Sequence, residues 1–267
     1  MLTRLSIALV ASGVACYASV DAGAQASAAA GTSAGTSAGA HAAALSTTPR
    51  IIETQLVVPV APSGVARFHM TATRPGDTTR FEVGTRTVER HDATMKGMRV
   101  IHRVLTFTSP RGSVIDSTVC LAQSLAPVME RSHQPTKTMS LDFAGARVTG
   151  LVTPKDSAAH SVDMDTAVPV FNSTDTDLVV ASLPLAEGYR AVLPFYTYEL
   201  GGLERDTVTV LRIEKIPTPD GERSAWVTQV ADPFVHITYW IDTSSRDVLQ
   251  AEFQRRKDGS VMRMTRF

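Results

Sequence analysis

The stretches DTVTVLRIEK (206–215), RSAWVTQV (223–230), VHITYWI (235–241), VLQAEFQRR (248–256) and VMRMTRF (261–267) decide the fold. Each is rich in Val, Ile, Thr and aromatic residues and has strand length. Turn clusters separate them: Pro217-Thr218-Pro219-Asp220-Gly221, Asp232-Pro233, Asp242-Thr243-Ser244-Ser245 and Lys257-Asp258-Gly259-Ser260. Connections this short join antiparallel neighbours, because a parallel crossover needs a dozen or more residues. The spacing therefore predicts an antiparallel meander over 189–267, with hairpins at Asp220-Gly221 and Asp258-Gly259. In 248–256, Leu249, Ala251 and Phe253 alternate with Gln250, Glu252 and Gln254, which predicts one dry and one wet face.

The same pattern extends towards the N-terminus. Residues 99–108 alternate Ile101, Arg103, Leu105 and Phe107 against Val100, His102, Val104 and Thr106. Both sets are partly apolar, which fits a strand covered on both faces. Pro110-Arg111-Gly112 marks a turn, and 114–121 is the next strand. Shorter strands follow at 125–132, 138–143 and 146–152, with Ala144-Gly145 as the turn between the last two.

One short helix interrupts the strands. Ser173, Thr174 or Asp175 can cap it, and Asp175 and Asp177 suit the positive end of its dipole. Leu178, Val179 and Leu183 share a face, and Pro184 and Gly188 end it. Asp163, Asp165, Asp175 and Asp177 lie among Ser, Thr and Pro, and this stretch reads as a solvated loop.

The front of the chain reads as an address. Arg4 precedes an apolar run, LSIALVASGVA (5–15), and Ala24-Gln25-Ala26 fits a small-x-small cleavage site. Residues 1–26 are thus read as a signal peptide. The run is too short to span a bilayer as a helix. Gly13-Val14-Ala15-Cys16 offers an alternative, a lipobox that would anchor the protein to a membrane through lipidated Cys16. Residues 27–48, with GTSAGTSAGA at 31–40, have the composition of a flexible linker. A single β-rich exported domain, periplasmic or secreted, is expected over 49–267.

Composition narrows the function. Lys plus Arg and Asp plus Glu number 26 each, so no global charge attracts nucleic acid. Cys120 is alone in the mature domain, so no intramolecular disulfide is available there. Its place in a strand pattern suits a buried, inert thiol. There is no Gly-x-Ser-x-Gly, His-Glu-x-x-His, P-loop or Gly-x-Gly-x-x-Gly motif. The histidines of the domain are scattered, with no metal-ligand spacing. No catalytic residue, metal or cofactor is therefore expected.

The segments LPLAEGYRAVLPFY (183–196), VTVLRIEKIPTPDGERSAWVTQV (208–230) and YWIDTSSRDVLQAEF (239–253) carry a further signal. They contain a strand ending in Glu-x-Ile-x-x-Pro, a Gly turn, a Trp-Ile-Asp element and an Arg-x-Val-Leu strand. This combination resembles the periplasmic domain-of-unknown-function family 3108. The resemblance implies a fold like that of the lipoprotein carriers LolA and LolB. Such a fold is mainly β: a strongly curved antiparallel sheet, or half-barrel, with a short helical plug, here Thr176 to Ala186. It supplies no catalytic residues.

The aromatic residues Phe195, Tyr196, Trp226, Tyr239 and Trp240 lie on neighbouring segments and are the candidate ligand-binding set. The expected function is a non-enzymatic envelope protein that holds a hydrophobic ligand, such as a lipid, an acyl chain or a lipoprotein, in the concave sheet. The alternatives are an envelope structural or assembly factor acting by protein–protein contact, and a hydrolase with a dispersed site.

Overall fold

The computed structural model describes Leu56 and residues 63–267. The signal peptide, Cys16, the linker and the start of the domain at residue 49 lie outside the described residues.

Fifteen strands of the described residues form one sheet. In chain order they are β1 (Gly64–Thr73), β2 (Arg80–Met95), β3 (Met98–Ser109), β4 (Gly112–Leu121) and β5 (Pro127–His133). Next come β6 (Lys137–Ala144), β7 (Arg147–Pro154), β8 (His160–Asp165) and the two-residue β9 (Phe171–Asn172). The meander follows as β10 (Arg190–Thr197), β11 (Gly202–Thr218), β12 (Gly221–Ala231), β13 (Val235–Asp242), β14 (Val248–Arg255) and β15 (Val261–Arg266). The expected half-barrel and the expected meander are both present.

The spatial order is 8-7-6-5-4-3-2-1-15-14-13-12-11-10-9. Successive strands therefore pair with each other except β8 and β9, and the seam is the antiparallel pairing of β1 with β15, from Phe68↔Arg266 to Thr73↔Val261. The only non-antiparallel pair in the described sheet is β9 with β10. The sheet does not close into a barrel. Among the described residues its edge strands are β8 and β9, and residues 166–170 of the chain itself run from one to the other.

Curvature comes from register shifts at Met70/Thr71, Val119/Cys120, Val210/Arg212 and Trp240/Ile241. Such bulges bend a strand and increase its local twist. They also change which face a side chain meets. Leu249 sits in the shift between β13 and β14 and joins Ile216, Ala225, Val227 and Trp240 in a small outer cluster. Ala251 and Phe253 remain in the main core. The strict alternation expected for 248–256 is thus broken at its start.

The main core fills the inner face. Phe68, Ile101, Phe107, Phe195, Tyr239 and Met264 belong to it. The plug packs among them: a 3-10 turn (Ser173–Asp175) leads into α1 (Thr176–Ala181), whose six residues are all buried. The helix ends three residues before Pro184, earlier than the plug expected to run to Ala186. A second cluster, with Met139, Leu141, Phe143, Val148 and Tyr196, joins β6–β7 to β10. Phe143 meets Tyr196 edge-on at 5.7 Å, and Lys137 pairs with Glu199 at 2.7 Å. The two ends of the sheet therefore touch without sharing a hydrogen-bond ladder.

Candidate functional site

β3 and β4 place Arg103 opposite Thr118 and Leu105 opposite Asp116, and β5 places Glu130 opposite Thr118. Strand pairing puts these side chains on one face, the inner one. Ile101, Phe107 and Cys120 are buried on the same face. Burial raises the thiol of Cys120 above its usual range.

A charged residue in such a position needs a partner, since an unpaired buried charge is very costly. The plug supplies it. Arg103 is 3% exposed. Its Nη1 donates to Asp175 Oδ1 at 2.7 Å, and its Nη2 donates to both oxygens of Asp177 at 2.9 and 2.8 Å. The Thr118 hydroxyl also donates to Asp175 Oδ1, at 2.8 Å. Thr174 donates to Glu130 at 2.8 Å, and Ser132 donates to Asp116.

The reading of Asp175 and Asp177 as solvated capping residues is therefore corrected. Both are buried, and Asp175 makes no side-chain cap bond; the cap of the 3-10 turn is Asn172, which accepts from the Thr174 N–H at 3.1 Å. Asp163 and Asp165 do lie at the surface: Asp163 pairs with Arg147, and Asp165 accepts from the Ala167 N–H. The signal for the buried pair was an arginine on the apolar side of an alternating strand. Its partners lie more than 70 residues away, beyond the reach of a local pattern.

Burial dominates the titration of this layer. Desolvation, with a contribution from Asp116, pushes Glu130 up to about 8. Desolvation raises Asp116 to about 6, against the Ser132 bond and the charge of Arg86. Asp175 is also raised by desolvation, despite Arg103. Desolvation works on Asp177 too, but the charges of Arg103 and Arg86 outweigh it and hold the carboxyl below its usual range. Across the core, desolvation and then the charge of Asp232 push Asp206 up to about 8.

These shifts have a definite sign. Between the unfolded and folded values of Asp116, Glu130 and Asp206, the native state binds more protons than the unfolded chain. Stability then falls as pH rises. The thermal midpoint should decline from about pH 5 to about pH 9, through the values near 6 and 8. Glu130→Gln, which can still accept from Thr174, should flatten part of that decline. A midpoint that rises over this range, or an unchanged slope in the variant, would count against it.

Beside this layer the inner face opens in a pocket of about 210 Å³. Its apolar wall includes Ala66, Phe68, Val88, Leu178, Ala181 and Val248. Its charged lining is Arg90, Arg103, Arg246, Arg266, Asp177 and Asp247. Arg266 pairs with Asp247 at 3.1 Å, and Arg246 donates to the Leu183 carbonyl at 3.2 Å. Ser63 and the exposed Val65 stand at the start of β1 beside it.

The aromatic set occupies other places. Phe195 and Tyr239 are buried in the main core, and Tyr196 lies in the second cluster. Trp226 pairs with Ile241, and Val227 pairs with Trp240, so the two indoles leave the sheet on opposite faces. Trp226 packs on the main core, whereas Trp240 joins the outer cluster and donates to Glu214. None of the five lines the pocket. Among the described residues no group of three His, Cys, Asp or Glu could hold a metal ion, and no helix is long and apolar enough to cross a membrane.

Residues 65–265 match the family described as Protein of unknown function (DUF3108). The chain belongs to this family. No curated protein matches it. Among solved structures, the DUF3108 chain is similar to a β-barrel-like protein of domain of unknown function DUF1849 from Brucella abortus. The TM-score is 0.50 and the identity 9%, over 80% of this chain and 97% of that one. A DUF1329 family protein from Desulfovibrio piger matches with a TM-score of 0.28 and 10% identity, over 78% of this chain and 85% of that one. A LolA superfamily protein from Nitrosomonas europaea matches with a TM-score of 0.23 and 8% identity, over 80% and 87%. At these identities the likeness is one of fold alone.

Proposed function

We propose that this is a non-enzymatic binding protein of the cell envelope that takes a hydrophobic ligand at the mouth of its curved sheet. The observation that carries this reading is the pocket between α1 and strands β1 and β2. There an apolar wall of Ala66, Phe68, Val88 and Leu178 meets a charged rim. Concave, mostly apolar sites with a few polar groups are where small ligands bind. The envelope location rests on the export signal read in residues 1–26.

The volume limits the ligand. About 210 Å³ is below the roughly 300 Å³ at which typical ligand pockets begin. The buried plug packs beside it among the inner-face side chains, so the site takes one end of a lipid or acylated molecule while the remainder lies at the open mouth.

Native mass spectrometry of the protein purified with its membranes tests this. A lipid-sized adduct is expected, and its removal should lower the thermal midpoint, because a ligand bound only to the folded state stabilises it. No adduct, together with no thermal shift on adding fatty acids or lipopeptides, would sink the reading.

That outcome would favour a second role, an envelope assembly factor. The observation behind it is β8, which pairs with β7 on one side and whose outer edge meets no strand among the described residues, the kind of edge that accepts another chain.

A further inference from the structure

We infer that the protein self-associates along one edge of β11: residues 211–215 of two copies pair as antiparallel strands about a two-fold axis at Ile213. This surface is separate from the mouth pocket, and the inference does not depend on the ligand reading.

The edge is the first observation. β10 pairs with β11 only as far as Arg190↔Thr209, and the Val210 N–H then donates to the Tyr189 carbonyl at 2.9 Å. β11 continues to Thr218, paired with β12 alone among the described residues. Residues 211–218 thus form one side of an arm, and their other edge meets no strand among the described residues. Such an edge is a template for another strand. Pro217 has no N–H to donate and confines the template to the residues before it.

Exposed apolar surface on the same stretch is the second. Leu211 is 44% exposed and Ile213 is 48% exposed. Ile213 pairs with Trp226, which packs on the main core, so Ile213 stands on the inner side of the arm with its side chain in water. Covering these two side chains is favourable.

Charge decides which chain covers them. Arg212 pairs with Val227 and Glu214 with Ala225, and Val227 and Ala225 belong to the outer cluster. Arg212 and Glu214 therefore share the outer face, where they form an ion pair at 2.7 Å. Directly opposed residues of an antiparallel pair also share a face, so the two-fold axis of a self-paired edge passes through a residue. Centred on Ile213, the ladder sets Arg212 of each copy against Glu214 of the other and brings the two Ile213 side chains together. Centred on Arg212, Glu214 or Lys215, it sets a charge against its own copy, which opposes pairing. Among these axes only Ile213 makes the edge complementary to itself. A two-fold contact uses the same patch on both copies, so the assembly closes as a dimer.

The experiment is sedimentation equilibrium of the full mature protein and its variants. The wild type should show a reversible monomer–dimer equilibrium. Arg212→Glu and Glu214→Lys each replace two attractive pairs by two repulsive ones and should each weaken the dimer by about tenfold or more. A mixture of the two variants should dimerise like the wild type, because each then offers the charge that the other needs. A second arm needs neither charge variant. Ile213→Cys should oxidise to a covalent dimer, since directly opposed residues lie within disulfide reach. Lys215→Cys should not, since its own copy lies four residues along the ladder, roughly 13 Å away. Cys120 is buried and stays out of this reaction. A monomer at every concentration, with no crosslink through position 213, overturns self-pairing and leaves the edge to a different extended chain. A dimer that ignores both charge variants, or that crosslinks equally through 213 and 215, assigns another interface and overturns the inference as well.

Discussion

Arg103→Ala should lower the stability of the protein by roughly 3–5 kcal/mol, the usual cost of removing one partner from a buried ion pair. The guanidinium is the only cation that hydrogen-bonds Asp175 and Asp177 among the described contacts, and both carboxylates sit beneath the sheet with it. Without it, the plug either carries uncompensated charge into the core or binds protons to avoid it. The penalty should therefore shrink as pH falls towards the carboxylate range. A combined variant, Arg103→Met with Asp175→Asn and Asp177→Asn, should recover much of the loss, since neutral replacements of a buried ion pair are often tolerated. Urea unfolding measures all of this. A loss below about 1 kcal/mol for Arg103→Ala, within the range of exposed pairs, would mean that the ion pair does not hold the plug.

The second large effect belongs to Gly84. Its φ is +145°, and a Cβ added there would lie 2.0 Å from the backbone oxygen of Thr108. The position sits where the β1–β2 register shifts, between Met70↔Gly84 and Thr71↔Glu82. Gly84→Ala combines backbone strain with a clash against backbone that cannot rotate away. It should cost about 3 kcal/mol or more. Gly259 is the control. Its φ is +69°, and nothing lies within 4 Å of its Cβ position. Gly259→Ala should cost only about 1–2 kcal/mol, the price of the left-handed conformation itself. Thermal or urea unfolding of the two variants should separate them clearly. Equal losses would show that the close approach at Thr108 relaxes freely.

Much of the fold is local and could be read. The hairpins from β10 to β15 follow from apolar runs punctuated by short turns, and Asp258-Gly259 gave one of them away. The helix was legible from its apolar run and from Pro184, although its acidic start was misread. That error has a physical cause. Asp175-Thr176-Asp177 looks the same in sequence whether it faces water or Arg103, and only long-range pairing decides. A better clue lay in the strand: Arg103 shares a face with Ile101, Leu105 and Phe107, where a charge is seldom left without a partner.

The placement of the two tryptophans was also within reach. Ala231 pairs with His236, with four residues between them. Residues whose numbers sum to 467 then face each other, as Trp226 and Ile241 do. Trp226 and Trp240 must consequently point to opposite faces. Turn length fixes hairpin register, and a one-residue difference moves a side chain from one face to the other.

By itself the sequence determined the β class, the antiparallel meander, the single short helix and the family, because turns and alternation act over a few residues. Only the tertiary structure decided the seam of β1 with β15, the opening between β8 and β9, and the burial of the plug carboxylates beneath Arg103. The mouth pocket belongs to this second group. Arg90, Arg246 and Arg266 come from three separate parts of the chain and become neighbours only when the sheet curls around the plug.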